Sequence, residues 1–178
     1  MSTIYLMTDA NLFVGDHDPT KSKHLTLTEL KLPDLQENYA DHAPGGGRVA
    51  TEFAVGVAKL EPTFNLAGFD PDLLSEFGLS TRYRNTFTAY GVVTDQRTGK
   101  EIEAKAIIEA RLGRVAPDAF TKGEVQGHEY AMNSVVHYEL WFDGREKIAW
   151  DFFTNLWRVD GVDQNAVANR ILRIPGAS

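Results

Sequence analysis

Residues 30–58, LKLPDLQENYADHAPGGGRVATEFAVGVA, interrupt the strand-like pattern of the chain with a long polar segment. Pro33 ends the first apolar run because proline cannot donate to a strand ladder. Gly45, Gly46 and Gly47 then disfavour any regular element, and the strand pattern resumes only at Thr51. These features predict a long inter-strand loop over residues 33–49.

The predicted loop exceeds the length of about 12–15 residues beyond which loops in compact domains are usually functional or disordered. It carries Leu35 and Tyr39, which a purely solvated tether does not need. We therefore interpret it as an arm that orders against another protein chain; the alternative is a flexible insertion without a role. The candidate contact residues are Leu35, Glu37, Tyr39, Pro44, Gly45, Gly46, Gly47 and Arg48.

The composition predicts a soluble globular protein with one domain over residues 1–178. Hydrophobic residues make up 43% of the chain and charged residues 24%, which is ordinary for a chain with a packed core. We expect neither a membrane-spanning helix nor a cleaved leader, because no apolar run approaches about 18–20 residues. The chain has no cysteine, and its net charge of −7 argues against a surface built to bind nucleic acid.

Outside the loop, alternating apolar residues predict about seven strands, mostly antiparallel. In the first of them the alternation changes parity after Thr28, which indicates a bulge or a bend. Asp143-Gly144 between two apolar runs is a strong hairpin signal. The strands are expected at residues 24–32, 51–57, 60–67, 82–94, 101–115, 129–142 and 145–159, and residues 1–24 are expected to form an N-terminal arm.

Two short helices complete the predicted fold. Asp70 is a plausible N-cap, Pro71 suits the first helical position, and Gly78 ends this segment. A second helix over residues 163–174 closes the chain, because apolar residues recur there at helical spacing. The predicted class is therefore mainly β: an antiparallel β-sandwich or barrel subunit with two short helices and a long inter-strand loop.

The sequence contains no recognisable catalytic, cofactor or metal site. The five histidines, at 17, 24, 42, 128 and 137, follow no metal-ligand spacing, and we interpret them as solvated loop residues. The triple glycine lacks the Lys-Ser/Thr of a phosphate loop. Three tryptophans with Phe152 and Phe153 could form a stacking platform, but large aromatics are more often core and interface anchors. An enzyme is thus the least supported class.

Several predicted strands have one polar, mostly acidic side. On the strand from Glu101 the alternate residues are charged, while Ile102, Ala104 and their successors form an apolar side. The simple interpretation is a solvated sheet face, and the sharper one is the acidic wall of a channel enclosed by several subunits. The lumen-facing candidates are Glu52, Lys59, Glu61, Thr63, Glu101, Glu103, Lys105, Glu109, Arg111, His137 and Glu139.

In order and spacing, a series of short motifs resembles the major tail tube proteins of contractile phage tails and of phage-tail-like bacteriocins. The motifs span nearly the whole chain: Asn11-Leu12-Phe13, Leu32-Pro33-x-Leu35, Glu37-x-Tyr39 with the glycine cluster, Phe64-x-Leu66-x-Gly68, Lys122-Gly123-Glu124, Tyr138-x-Leu140-x-x-Asp143-Gly144-Arg145-Glu146 and Val159-Asp160-Gly161-Val162-Asp163.

The resemblance implies a non-enzymatic building block without a cofactor. Hexameric rings would stack into a hollow tube, the sheets of six subunits joining into one ring-closed barrel. A contractile sheath would surround the tube, baseplate and terminator proteins would sit at its ends, and DNA or effectors would pass through without specific binding. The particle would be a virion or an extracellular tail-like device assembled in the bacterial cytoplasm. Further contacts at the chain ends would involve Asn11, Leu12, Phe13, Asp160, Gly161, Val162 and Asp163.

The competing hypothesis is a monomeric β-sandwich module that binds a ligand on its aromatic side chains. It predicts a pocket and a stable monomer, whereas the tube hypothesis predicts self-assembly.

Overall fold

The computed structural model describes residues 2–78 and 84–174, and these residues form a mainly antiparallel β-structure. The strands are β1 (Tyr5–Val14), β2 (Leu27–Lys31), β3 (Glu37–His42), β4 (Thr51–Val57), β5 (Thr63–Ala67), β6 (Asn85–Asp95), β7 (Glu101–Pro117), β8 (Gly127–Phe142), β9 (Arg145–Asp151), β10 (Leu156–Val159) and β11 (Val162–Asp163). The helices are α1 (Pro71–Ser75) and α2 (Ala166–Leu172), neither long and apolar enough to cross a membrane.

Nine of the strands form one sheet in the order β1-β6-β7-β8-β9-β10-β11, and β5 pairs with both β8 and β2. The two remaining strands, β3 and β4, pair only with each other. Within the described residues the large sheet does not close on itself, so β1, β2 and β11 each have an unpaired edge. Unpaired edges present free N–H and C=O groups to other chains.

The long strand β8 lets the sheet fold over a single core. Its last residues pair with β9, while its first residues pair with β5, with Phe64 opposite Tyr130. The rings of Phe64 and Tyr130 stack 5.0 Å apart. Burial of the Phe64 side chain contributes about 1.5–3 kcal/mol. The core joins residues from both ends of the sheet: Leu12, Phe64, Leu66, Phe87, Ile108, Leu112, Tyr130, Met132 and Tyr138, with Leu73 of α1.

Local sequence signals explain the turns and the first helix. Asp70 caps α1, because its carboxylate accepts the Leu73 N–H at 3.0 Å, and it also pairs with Lys23. Asp143 and Gly144 both have positive φ, 50° and 71°, as the two-residue turn between β8 and β9 requires. The predicted bulge in the first strand is confirmed by a register shift between Leu27 and Glu29.

Three predictions of secondary structure are wrong. Eleven strands replace the expected seven. Residues 5–14, predicted within an arm, form the edge strand β1 because their backbone pairs with β6 from Tyr5 to Val14. Residues 37–42, predicted within the loop 33–49, form β3, whose partner strand follows after only eight residues. Arg82 and Tyr83, predicted to begin a strand, lie outside the described residues.

The interpretation of all histidines as solvated loop residues is also wrong. His128 lies on β8 opposite Leu66 and is 1% exposed, with its ring 4.2 Å from that of Phe69. His137 lies further along β8 and is half-buried. His17, His24 and His42 are exposed, as expected. His128 was missed because β8 begins two residues earlier than the predicted strand 129–142, whereas His137 lies within that predicted strand.

Candidate assembly surfaces

The strands β3 and β4 form a hairpin that projects from the core, and every residue in both strands is exposed. A hydrogen bond of 2.8 Å from the Ala58 N–H to the Gln36 carbonyl closes its base. Its large apolar side chains find no cover within the described chain: Tyr39 is 52% exposed, Phe53 58% and Val55 63%. Exposed apolar side chains concentrated on a projecting element indicate a surface that packs against another molecule.

The two faces of the hairpin differ in character. On one face the rings of His42 and Phe53 lie 6.0 Å apart. On the other face Asp41 lies directly opposite Glu52, and Tyr39 donates its hydroxyl to Glu37. That bond raises the pKa of Tyr39, since it places the phenol beside a carboxylate.

The carboxylates of Glu37, Asp41 and Glu52 form no ion pair with any cation in the described part of the chain. We call the hairpin side that carries them the acidic face.

The structure places the predicted loop contacts on or beside this hairpin. Leu35 and Pro44 are exposed, as are the glycines and Arg48 of the connecting tip. The Gly47 N–H donates to the Pro44 carbonyl at 3.1 Å, so the tip contains a turn. The contacts these residues make with another chain remain a prediction.

The predicted polar wall of the long strands lies on one face of the sheet. Glu109 is paired with His137, Ile107 with Glu139 and Lys105 with Trp141, so their side chains share that face. The alternate residues of β7, from Ala104 to Leu112, are buried on the opposite face. Seven candidates are thus brought together: Glu101, Glu103, Lys105, Glu109, Arg111, His137 and Glu139.

Four candidates lie elsewhere. Glu52 is on the hairpin, and Lys59 and Glu61 form an exposed ion pair of 2.7 Å between β4 and β5. Thr63 is on β5 opposite Ala131. The physical reason is the separate pairing of β3 with β4, which removes Glu52 from the main sheet.

A chain of hydrogen bonds runs across the polar face. Trp141 Nε1 donates to Glu139 at 2.7 Å, and the two ring nitrogens of His137 lie 2.9 Å from Glu139 and 3.0 Å from Asp151. Burial raises the pKa of Asp151, but bonds from the Thr154 N–H, His137 and the Thr154 hydroxyl outweigh it and leave the pKa below its usual value. The chain joins β8, β9 and the turn after β9 and fixes these side chains on the face.

The predicted contacts at the chain ends are only partly available. Leu12 is 0% exposed and belongs to the core, so its assignment as a terminal contact is wrong; it points inward because it lies opposite Ala89 on β6. Phe13 is half-buried against Tyr90, and the Asn11 side chain accepts the Leu12 N–H. Asp160 and Gly161, with φ of 48° and 80°, form the exposed turn before β11.

Val162 is 62% exposed, whereas the Asp163 carboxylate is engaged with the Asn165 N–H at 2.9 Å. Of these chain-end residues, Val162 therefore offers the clearest exposed apolar contact.

Helix α2 presents a surface that the sequence analysis missed. Its apolar residues Val167 and Ile171 are 58% and 71% exposed, and its one buried residue is Asn169. Asn169 exchanges hydrogen bonds with Asn155 in the turn after β9, at 2.6 and 3.1 Å. The asparagines at 165 and 169, one helical turn apart, are the signal that could have identified the inward side.

A groove of about 670 Å³ lies between the base of the hairpin and β10. Trp150, Trp157 and Leu60 contribute to its walls, and its charged residues Lys59 and Glu61 pair with each other. The described residues contain no group of three or more His, Asp or Glu side chains arranged to hold a metal.

Comparisons with known proteins place these surfaces in a family context. The family model described as phage tail tube protein FII matches residues 7–172. A search of curated proteins gives no match.

Three cryo-EM structures share the fold. One chain is from the PVC sheath-tube complex of an extracellular contractile injection system in the extended state. It is 12% identical in sequence, the match covers 72% of this chain and 86% of that chain, and the TM-score is 0.51. A chain from the PVC sheath/tube terminator is 12% identical, and the match covers 72% of this chain and 91% of that chain with a TM-score of 0.52. A third chain is from the sixfold-symmetrised structure of the anti-feeding prophage baseplate. It is 10% identical, and the match covers 79% of this chain and 97% of that chain with a TM-score of 0.55.

Proposed function

Because this chain belongs to the phage tail tube protein FII family and is therefore a structural subunit of a tail tube, we propose that its copies form hexameric rings that stack into a hollow tube. The observation that carries the proposal is the projecting hairpin, whose exposed Phe53, Val55 and Tyr39 are not covered by any other described part of the chain. The free edges of β1 and β11 supply a second reason, since ring closure pairs edges that a lone subunit leaves open. The sixfold symmetry applied to the related baseplate structure supports the number six.

The polar face of β7 and β8 then lines the channel. Glu101, Glu103 and Glu109 on β7 give the wall acidic character, which repels a phosphate backbone and lets DNA or an acidic cargo slide past without adhering. The chain has no catalytic role in this proposal. Sheath, baseplate and terminator proteins are its further partners, in a virion or an extracellular particle assembled in the bacterial cytoplasm.

Assembly of the purified chain tests the proposal. Size-exclusion chromatography with light scattering, together with negative-stain microscopy, is expected to give rings or tubes at high protein concentration. A monomer at every concentration and salt would contradict the proposal and would favour the binding-module hypothesis, whose ligand would occupy the groove beside Trp150 and Trp157.

Excision of the hairpin separates folding from assembly. Residues 38–56 can be replaced by a short glycine-serine turn, because the bond between Ala58 and Gln36 already holds the ends together. We expect an unchanged circular dichroism spectrum apart from the lost strands, and no tubes. Phe120→Ala, at a residue 83% exposed on a different loop, is the matched control and should still assemble. Normal tubes from the excision variant would refute the role of the hairpin.

Substitution of Glu101, Glu103 and Glu109 by Lys tests the channel wall. Assembly should persist, because these residues lie away from the hairpin, but DNA should bind the tubes where it did not before. Tubes of this variant that fail to retain DNA at low salt would contradict a lumenal position.

A further inference from the structure

The acidic face of the hairpin has no partner of opposite charge among residues 2–78 and 84–174. Residues 36–57 carry three carboxylates and one guanidinium, that of Arg48. Asp41 and Glu52 lie directly opposite each other, an arrangement that destabilises an isolated strand pair. A surface of this kind gains most from a partner that is both basic and apolar, since Tyr39 and Val57 of the same face are exposed and must also be covered.

The segment 164–174, which includes α2, has the complementary character. It contains two arginines and no carboxylate. Neither Arg170 nor Arg173 forms an ion pair with a carboxylate of the described residues. Val167 and Ile171, one turn apart, stand beside Arg170 on the outward side of the helix, because Asn169 occupies the inward side.

The neighbouring turn enlarges this surface. Asn155 ties the turn after β9 to α2 through bonds to Asn165 and Asn169, and the same turn carries Phe152 and Phe153, which are 63% and 66% exposed. We call this set, Phe152, Phe153, Val167, Arg170, Ile171 and Arg173, the helix patch. It combines exposed aromatic and aliphatic residues with two arginines that pair with no carboxylate in the described ranges.

Other basic segments fit less well. Lys100 near the β6–β7 turn already faces Asp143 at 3.8 Å, and Arg97 stands in a turn organised around the Asp95 carboxylate. The loop 118–126 carries Lys122 together with Asp118 and Glu124, so its charges largely cancel. Unlike these two segments, the helix patch contains no acidic residue.

We propose that the hairpin of one copy docks on the helix patch of a second copy, with Asp41 and Glu52 facing Arg170 and Arg173 and with Tyr39 of the same face against Val167 and Ile171. A seven-residue strand such as β4 spans about 20 Å, enough to bridge to a neighbouring subunit. The inference rests on the proposed function and adds the identity of the surface that receives the hairpin.

Crosslinking tests the proposal directly, because the chain contains no cysteine. The variants D41C and R170C are prepared separately, mixed, assembled and treated with a short bis-maleimide. The expected product is a crosslinked dimer of one D41C and one R170C chain, at least about tenfold above the yield from D41C mixed with R97C. The same yield from both mixtures would overturn the proposal.

Charge reversal with rescue gives an independent readout. D41R/E52R and R170E/R173E should each reduce the assembled fraction by about tenfold or more, since one lost or repulsive close charge pair is worth about 1.4 kcal/mol or more and 1.4 kcal/mol is tenfold. The variant with all four changes restores opposite charges and should assemble within about threefold of the natural chain. Failure of rescue while all three variants remain folded would refute the pairing.

The two proposals fail in different ways. A natural chain that stays monomeric would refute the tube itself. Tubes that form normally but ignore all four charge reversals would refute only the helix patch as the receiving surface.

Discussion

Substitution of Asn169 by alanine should detach α2 from the sheet while leaving the core folded. Asn169 is 1% exposed and is the only buried residue of the helix. The substitution removes two hydrogen bonds with Asn155, each worth about 0.5–1.5 kcal/mol. It leaves the side-chain amide of Asn155 without its acceptor, at about 1–3 kcal/mol, while the Asn155 carbonyl keeps its bond from Asn165. After partial rehydration, the free energy that holds α2 in place should fall by about 2–4 kcal/mol.

Native-state proteolysis measures this loss. Trypsin cleaves after Arg170 only when the helix opens, and its rate follows the open population when opening and closing are fast. A loss of about 2 kcal/mol raises that population about 30-fold. The cleavage rate should rise accordingly, while the urea midpoint of the β-sheet signal should move little, because Val167 and Ile171 bury little surface in the single chain.

The matched control is Gln164→Ala, because the Gln164 side chain is exposed and bonds only to the Val162 carbonyl. This variant should be cleaved at the natural rate. If Asn169→Ala were also cleaved within about threefold of the natural rate, the asparagine contacts would not hold the helix and the reasoning would be refuted.

Three further predictions concern stability. Asp70→Ala should lower the free energy of unfolding in urea by about 3 kcal/mol, since it removes the cap of α1 and the partner of the mostly buried Lys23. Asp70→Asn should keep the cap and lose less. Equal losses in the two variants would show that the cap and the ion pair do not contribute separately. A bond from Thr3 and further bonds from the following turn lower the pKa of Asp95 from 3.8 to about 2, so the stability that Asp95 provides is present above pH 3.8 and is lost as the pH falls through 2. D95N should flatten the dependence of unfolding stability on pH in this range, and an unchanged acid-unfolding profile would refute the role of Asp95. Burial raises the pKa of Tyr138 from 10.0 to about 12, so the stability of the fold should decrease between pH 10 and pH 12. Tyr138→Phe should remove this decrease in unfolding measured against pH. If the variant still loses stability at alkaline pH, another group causes the loss.

The sequence predicts local structure well where one residue type decides it. The cap at Asp70, the turn at Asp143-Gly144 and the bulge near Thr28 are all present, since each depends on backbone geometry that few residues allow. The alternating faces of β7 are confirmed for the same reason: a strand has a fixed period of two. The family resemblance is confirmed by the match over residues 7–172.

Long-range pairing was harder to predict. The strand pattern of Thr51–Val57 was evident, but its partner β3 contains Glu37, Asn38 and Asp41, which disfavour strands on their own. Likewise Val167 and Ile171 face outward, although an apolar stripe on a helix usually marks its buried side. The asparagines at 165 and 169 are the one local signal of the inward side. Both features lie on surfaces proposed to meet another chain, so they depend in part on a partner that the single sequence does not contain.

The like-charged pair of Asp41 and Glu52 carries a kinetic consequence. An isolated two-stranded hairpin is at best marginally stable in water, and facing carboxylates weaken it further. A free subunit should therefore hold the hairpin only loosely and order it on reaching a template. When the first free subunits meet, they must pay that entropic cost without an ordered surface to bind. Tube growth should therefore begin only after a lag, and preformed tube seeds should abolish the lag.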